Sequence, residues 1–392
     1  MENFEKVIEA CVGKLNKEDP YYGLSWGEIV DCLDMDCHPD SLRKGAYYVK
    51  MYHDYLQDKS MENMSSDEVE KLNEKIVELK KERVKSQDLN NMINKKIREQ
   101  SRFEQMLDCA RDVANTFEKD KPLLSNVPVL RSGNKEAVLL LSDLHIGIVN
   151  DNYWNKYDVD IMKERMSYLK QRVIQIGLEN NINRIRVVCI GDIISGLIHN
   201  TIRLENRLDI CEQSVMAAEI IAELLHSFST LFKVDLYYGV GNHERISPNK
   251  SDSLDKESFG YMILEMIKWR CKDLKGLTIH ENDIDDEIIT FKVFNDKIVA
   301  THGHNFGNLN TYIPKITSML GYVPDYVCVG HLHQPVEKAY GNTELIVNPS
   351  FSGVDTFAKN LGLVGKPMQK LMLFSEEYGK EATFNINLDI EV

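Results

Sequence analysis

Arg186-Val-Val-Cys-Ile-Gly-Asp192 is an apolar run that ends in a glycine and a carboxylate, and the same design recurs along the last two thirds of the chain. Ser142-Asp-Leu-His145 closes another such run. Gly241-Asn-His-Glu244 follows Leu236-Tyr-Tyr-Gly-Val240, Thr301-His-Gly-His304 follows Ile298-Val-Ala300, and Gly330-His-Leu-His333 repeats the pattern. Short apolar runs rich in aliphatic and β-branched residues, bounded by turn signals, read as buried strands. Polar residues at the carboxyl ends of such strands converge on one sheet edge, where open α/β sheets place their sites. Asp143 and His145 lie two apart, so an extended strand end points both to the same side, and His331 and His333 repeat the device.

The side chains gathered in this way are carboxylates, an amide oxygen and imidazoles. Two divalent ions held about 3.5–4 Å apart need a bridging carboxylate, further oxygen and imidazole ligands, and open positions for water and phosphate. The residue types therefore predict a two-metal phosphoesterase site. Imidazole-rich donor sets suit Mn, Fe or Zn better than Ca or an all-oxygen Mg site. Manganese is the expected metal, with Fe, Zn and Mg as alternatives.

With all five stretches in order, the region from Glu136 onward resembles the calcineurin-like metallophosphoesterase family, whose pattern is D-x-H, G-D, G-N-H-[DE], a later H, and G-H-x-H. The closest type is that of the Mre11/SbcD-like nucleases, and the layout with N-terminal accessory parts is similar to phage-type metallophosphoesterases. Carried over by position, the resemblance implies that Asp143, His145, Asp192 and His333 hold one metal. Asp192, Asn242, His302 and His331 would hold the other, with Asp192 as the bridge. His243 matches a histidine that contacts the scissile phosphate without binding metal, acting as general acid or as a positive group on the developing charge. Two such cations would lower the pKa of a bridging water enough to supply hydroxide near neutral pH. The nucleases of this type carry a C-terminal DNA-capping extension and pair with an ATPase; that extension has no counterpart here, and no ATPase partner is expected.

Other residues around the motifs admit plainer readings. His304 fits substrate contact, although strand alternation alone would place a histidine there. His199 sits a loop beyond Asp192 and either reaches substrate or caps a helix. Gly191, Gly241 and Gly330 each precede a ligand after a strand, where a tight turn or close backbone approach favours glycine.

Composition sets the wider bounds. The 392 residues are 43% hydrophobic and 28% charged, which suits a globular chain with a large core and accessory segments. No stretch near 18 residues is continuously apolar, and the charged start Met1-Glu-Asn-Phe-Glu-Lys lacks a signal-peptide core, so a cytoplasmic protein with no membrane contact is expected. Its eight cysteines form no C-x-x-C pair, and Cys189 and Cys328 lie inside apolar runs; no disulfide is expected. A net charge of −14 argues against a broad nucleic-acid-coating surface, yet bound metals invert the local field, so a nuclease is not excluded.

Upstream, residues 1–60 read as a helix-turn-helix-like module. Ser25-Trp-Gly-Glu28 is a capping box opening a short helix through Leu33, Asp34–Pro39 is a turn, and a second helix runs from about Asp40 to Tyr55 with Arg43, Lys44 and Lys50. Trp26, Tyr47, Tyr48, Tyr52 and Tyr55 are its expected core. Residues 61–120 read as a long helix. Within it the 65–116 tract has coiled-coil-like spacing at Val69, Leu72, Ile76 and Leu79, resumed at Leu89, Ile93 and Ile97, which suggests a homodimer or a helix laid on the catalytic domain. Residues 121–134 read as a linker and 135–392 as the catalytic domain.

In the catalytic domain, helical spacing over Tyr157–Leu178, Leu208–Phe232 and Phe259–Arg270 alternates with strands, and a β-rich second half has a hairpin turn at Asn295-Asp296. The expected architecture is α/β, a four-layer α/β/β/α sandwich. The expected function is a two-metal phosphodiesterase acting as a DNA nuclease. A nucleotide or phosphoprotein phosphatase is the alternative enzyme, and a DNA-binding scaffold with a structural metal site is the alternative from another class.

Overall fold

A computed structural model describes residues 2–17, 20–62, 70–71, 73–94, 97, 133–198, 206–247, 257–354, 362 and 365–389. The chain divides into two compact units, Met1–Gln100 and Ser101–Val392.

The first unit holds α1 (Glu2–Asn16), α2 (Trp26–Cys32) and α3 (Pro39–Glu62). The capping box at Ser25 forms as the sequence predicts: the Glu28 N–H donates to Ser25 Oγ at 3.2 Å, and the Ser25 N–H donates to the Glu28 carboxylate at 2.6 Å. Pro39 lies inside α3 as its first residue, where its missing N–H costs nothing. The core is not the expected aromatic cluster. Ala10, Cys11, Ile29, Val30, Leu42 and Ala46 form it, with Trp26 and Val49 packed against its edge. Tyr47, Tyr48, Tyr52 and Tyr55 are exposed, at 55–75% of their accessible surface. The reason is visible in α3, where two apolar stripes have helical spacing. Leu42, Ala46 and Val49 turn inward, where their small side chains allow close helix approach, and Tyr48, Tyr52 and Tyr55 face outward. Residues 73–94 are helical and exposed; the rest of the 65–116 tract and the linker over 121–132 lie largely or wholly outside the described residues.

The second unit begins with β1 (Lys135–Leu141), the short pair β2 (Asn150–Asp151) and β3 (Lys156–Tyr157), α4 (Val159–Glu179), β4 (Ile182–Ile190), α5 (Ile210–Ser229) and β5 (Lys233–Gly239). It continues through α6 (Phe259–Arg270), β6 (Leu277–Ile279), β7 (Ile288–Val293), β8 (Asp296–Thr301), α7 (Leu309–Leu320) and β9 (Tyr326–Val329). β10 (Val336–Tyr340), β11 (Thr343–Val347), β12 (Met368–Ser375) and β13 (Gly379–Asn387) complete it. One six-stranded sheet has the order β13-β12-β1-β4-β5-β6, and a five-stranded sheet has the order β10-β11-β9-β8-β7. β1, β4, β5 and β6 run parallel, as do β8, β9 and β11, and antiparallel strands close every edge except that of β6. The β7–β8 hairpin turns at Phe294-Asn295, one residue earlier than expected, with Phe294 at a φ of 51°.

The continuous apolar runs have a structural cause, since both faces of the central strands are covered. On β1, Leu139 and Leu141 face the cluster shared with α4, α5 and α6, whereas Val138 and Leu140 face the second sheet. That inter-sheet cluster includes Val188 and Ile190 of β4 and Ile298, Ala300, Cys328 and Ile346 from the other sheet. α7 packs its Tyr312 and Ile316 on Val299, Val327 and Val329, the opposite face of the five-stranded sheet. Where these strands leave the sheet the apolar run stops, and the candidate ligands begin there. Among the described residues no helix is long and apolar enough to cross a membrane, and the seven described cysteines are free.

Candidate metal centre

The ends of β1, β4, β5, β8 and β9 bring all seven predicted ligands to one place. Ligand atoms of Asp143, His145 and His333 lie within 4.8 Å of one another, as do those of Asp192, His302 and His331. A third group, His145, Asp192 and His243, overlaps the first two and brings His243 to the centre. His333 Nε2 is 3.1 Å from Asp143 Oδ1 and 3.4 Å from His145 Nε2. On the other side His302 Nε2 lies 2.9 Å from Asp192 Oδ2 and 3.1 Å from Asn242 Oδ1. Asp143, His145, Asp192 and His302 are essentially fully buried.

Two imidazoles have their tautomer set by the fold. His302 donates its Nδ1–H to the Ile190 carbonyl at 2.9 Å, and His243 donates its own to the Ser195 carbonyl at 2.7 Å. A carbonyl only accepts, so the proton sits on Nδ1, and each Nε2 is turned to the centre.

Backbone conformation distinguishes this region from the rest of the molecule. Asp143, His145, Asp192, His331 and His333 have φ of 55°, 45°, 53°, 62° and 55°, so five of the nine described non-glycine residues in the left-handed region are candidate ligands. Each such residue costs of order 1–3 kcal/mol and persists only where its surroundings over-determine it. Those surroundings are explicit. The Asp143 and His145 N–H groups donate to the carbonyls of Gly191 and Asp192 at 3.2 and 3.1 Å, locking the first motif to the second. Gly191 and Gly241 meet where the second motif touches the third: a Cβ on Gly241 would lie 2.2 Å from Asp192 Oδ1. Glu244 ties the same two loops, accepting N–H bonds from Gly241 (2.7 Å), Asp192 (3.1 Å) and Ile193 (2.6 Å).

The charges of the cluster are strongly interdependent. Burial would raise the Asp143 carboxyl, but the His333 imidazole more than reverses this and brings it to about 2. Burial is likewise overcome at Asp192, which His302 and His243 hold well below the usual carboxylate range. Burial, reinforced by the His243 ring, drives His145 down to about 3, and burial with His302 beside it takes His331 to about 4. At His302 burial opposes the charged form, yet Asp192 prevails and lifts it to about 10. Burial and the neighbouring Asp192 push Glu244 up to about 7, against its backbone N–H bonds. In the metal-free centre the His302 proton thus partly neutralises Asp192. Convergent carboxylates, an amide oxygen and neutral imidazole nitrogens on a buried edge fit divalent cations, whose binding would displace that proton.

The remaining candidates fall differently. His304 borders the centre, its ring 5.6 Å from His302 and 6.2 Å from His331, with Nε2 3.6 Å from Glu287 Oε1. His199 lies outside the described residues. Sequence reasoning missed the supports beneath the ligands. Asn348 donates to Ser142 Oγ and to Gln369 Oε1, both at 2.9 Å, and Gln369 Oε1 also accepts the Ser142 N–H. Buried polar residues inside otherwise apolar strands are the signal that could have found them.

The description of the Calcineurin-like phosphoesterase family matches residues 137–335. The SPbeta prophage-derived uncharacterized protein YonJ of Bacillus subtilis strain 168 is 25% identical over 376 residues, covering 92% of this chain and 91% of that one. Among solved structures, an archaeal phosphodiesterase is similar at 13% identity and a TM-score of 0.32, over 64% of this chain and 99% of its own. A putative 5'-nucleotidase from Staphylococcus aureus is similar at 14% identity and a TM-score of 0.33, over 66% and 55%.

Proposed function

We propose, from the premise that the chain belongs to the calcineurin-like phosphoesterase family and is a metal-dependent phosphoester hydrolase, that it is a two-metal phosphodiesterase that cuts DNA. The observation that carries this is the convergence of two ligand groups, Asp143/His145/His333 and Asp192/His302/His331, joined by a third in which Asp192 lies within reach of His145 and His243. Asp143, His145, Asp192 and His333 would hold one cation and Asp192, Asn242, His302 and His331 the other, with manganese as the preferred metal. When bound, such cations supply Lewis-acid activation of water and charge neutralisation on the phosphoryl oxygens. The chain's own residues do the rest. His243, its Nδ1–H held by the Ser195 carbonyl, presents Nε2 toward the reacting group and would, as the doubly protonated imidazolium, donate the Nε2 proton to the departing oxygen and return to the neutral Nδ1–H form. Glu244 keeps the Asp192 and Asn242 loops in register. The same reading takes the three apolar clusters as seams of an α/β/β/α sandwich. It takes the N-terminal module as a DNA contact and the 65–116 tract as a coiled coil joining two copies, in a cytoplasmic setting.

One observation favours the alternative, a nucleotide or phosphoprotein phosphatase. Beside His304 lies a cavity of about 420 Å³ whose lining includes Asp285, Asp286, Glu287, Asn305, Phe306 and Lys315. An acidic rim repels a long polyanion more than a short phosphate ester.

The test is Mn²⁺-dependent hydrolysis of end-labelled single- and double-stranded DNA, with bis-p-nitrophenyl phosphate and p-nitrophenyl phosphate in parallel and Asp192→Asn as control. Cleavage of DNA and the diester, lost in the variant, is expected. Hydrolysis of the monoester alone would overturn the nuclease reading.

A further inference from the structure

Arg165 is a charged residue on the apolar face of α4, in line with Met162, Met166 and Leu169, and it is 4% exposed. Its hydrogen-bond acceptors are neutral oxygens. One guanidinium nitrogen donates to the Ser352 and Phe351 carbonyls at 2.8 and 3.3 Å, and the other donates to Asn155 Oδ1 at 2.9 Å and the Lys156 carbonyl at 3.4 Å. Burying a guanidinium against carbonyls is costly unless its fork of donors achieves something a neutral side chain could not.

What it grips is the 350–354 turn, and that turn grips the first metal motif. Asn155 adds its own amide, donating to the Ser352 and Val354 carbonyls at 2.8 and 3.1 Å. Gly353 has a φ of 83°, and a Cβ there would lie 3.0 Å from the Asn155 carboxamide, so the fit admits only glycine. From the other side of the turn, the Ser352 N–H and the Ser350 hydroxyl donate to the Asp143 carbonyl at 3.1 and 3.3 Å. Tyr157, whose ring lies under the guanidinium at 5.2 Å, donates its hydroxyl to the Leu144 carbonyl at 2.5 Å. Two consecutive carbonyls of the Asp143–His145 loop are therefore held by one assembly, and that loop carries two of the left-handed ligands.

We propose that Arg165 is a positioning residue for one half of the metal centre: with Asn155 it clamps the 350–354 turn onto the Asp143 carbonyl and so holds Asp143 and His145 in ligating conformation. The inference rests on the ligand assignment proposed above. The clamp acts directly on the first motif alone: although that motif is bonded to Gly191 and Asp192, the Asp192 and Asn242 loops have a second support in the Glu244 strap, and His302 has its own in the Ile190 carbonyl. A residue that merely stabilises the fold would weaken both halves together.

The test is titration calorimetry of metal-free full-length protein with Mn²⁺, with thermal unfolding of the same samples. Wild type should take up two equivalents. Arg165→Met should keep one at near wild-type affinity and bind the other about 10–100-fold more weakly, the usual consequence of losing support behind metal ligands. Arg165→Lys, which cannot fork across two carbonyls, should fall between. Should Arg165→Met fail to fold, Asn155→Ala removes a shared partner without removing a buried charge and should show the same asymmetry in milder form. Equal weakening of both equivalents, or two unchanged equivalents in the folded variants, would overturn the clamp. Fewer than two equivalents in wild type would overturn the ligand assignment and the clamp with it.

Discussion

Both units of this chain bury aliphatic side chains, but only the larger also encloses a cluster of charged and ligating ones. In the catalytic unit, carboxylates, imidazoles and arginine are enclosed beside the aliphatic core, and many of their polar atoms meet backbone groups distant in sequence. In the N-terminal unit, small aliphatic side chains form the core and four tyrosines stand in solvent. The contrast teaches where chemical identity governs burial and where packing geometry does. A ligand must be at the sheet edge whatever its hydropathy, whereas a helix with two apolar stripes buries the one that permits closer approach.

The most severe way to test the catalytic side is to remove the shared carboxylate. Asp192→Asn should reduce turnover to background and lose metal at both positions, measured by diester hydrolysis and by metal content after dialysis. His243→Gln sharpens the distinction between ligand and acid. It should lower kcat by about 10²–10⁴-fold with metal content retained, the range for loss of a general acid. Metal loss in that variant would move His243 into the ligand shell.

Legibility follows the same division. The convergence of Asp143, His145, Asp192, Asn242, His302, His331 and His333 was readable because each candidate follows a strand end within a few residues, so local spacing carries the information. The strands were readable because burial on both faces makes them continuously apolar. The left-handed torsions were not, since Asp, Asn and His need no glycine signature to adopt them when held by long-range hydrogen bonds. Arg165 and Gln369 were equally hidden, because their partners lie nearly 190 and over 220 residues away. The tyrosines of α3 were misassigned because helical periodicity identifies a stripe without saying which of two stripes is covered.

That misassignment can be probed directly. Ile29→Ala, a truncation at a fully buried site, should destabilise the N-terminal unit by about 2–5 kcal/mol. Tyr52→Ser, at an exposed one, should change stability by no more than about 0.5 kcal/mol. Denaturant unfolding followed by circular dichroism checks both. A large effect at Tyr52 would restore the aromatic core.

A further expected effect concerns pH in the metal-free protein. His145 and His331 titrate near 3 and 4 when folded and near 6.5 when unfolded, so the unfolded chain binds more protons between those values and stability rises with pH there. His302 titrates near 10 when folded, so its contribution is complete below 6.5 and is lost as pH climbs toward 10. Asp143, held at about 2, loses its contribution below about pH 4. Glu244, raised to about 7, opposes the acid-side rise but is outweighed by the two imidazoles, and the denaturant midpoint in EDTA should be highest near neutrality and lower at both about pH 4.5 and about pH 9. A midpoint still rising to pH 9 would show that His302 is not charged beside Asp192.

The most direct measurement of the central claim is anomalous diffraction from crystals soaked in Mn²⁺. Two peaks are predicted, one about 2 Å from ligand atoms of Asp143, His145, Asp192 and His333, the other similarly placed among Asp192, Asn242, His302 and His331. A single peak, or a pair that leaves Asp192 on only one ion, would contradict the two-metal centre.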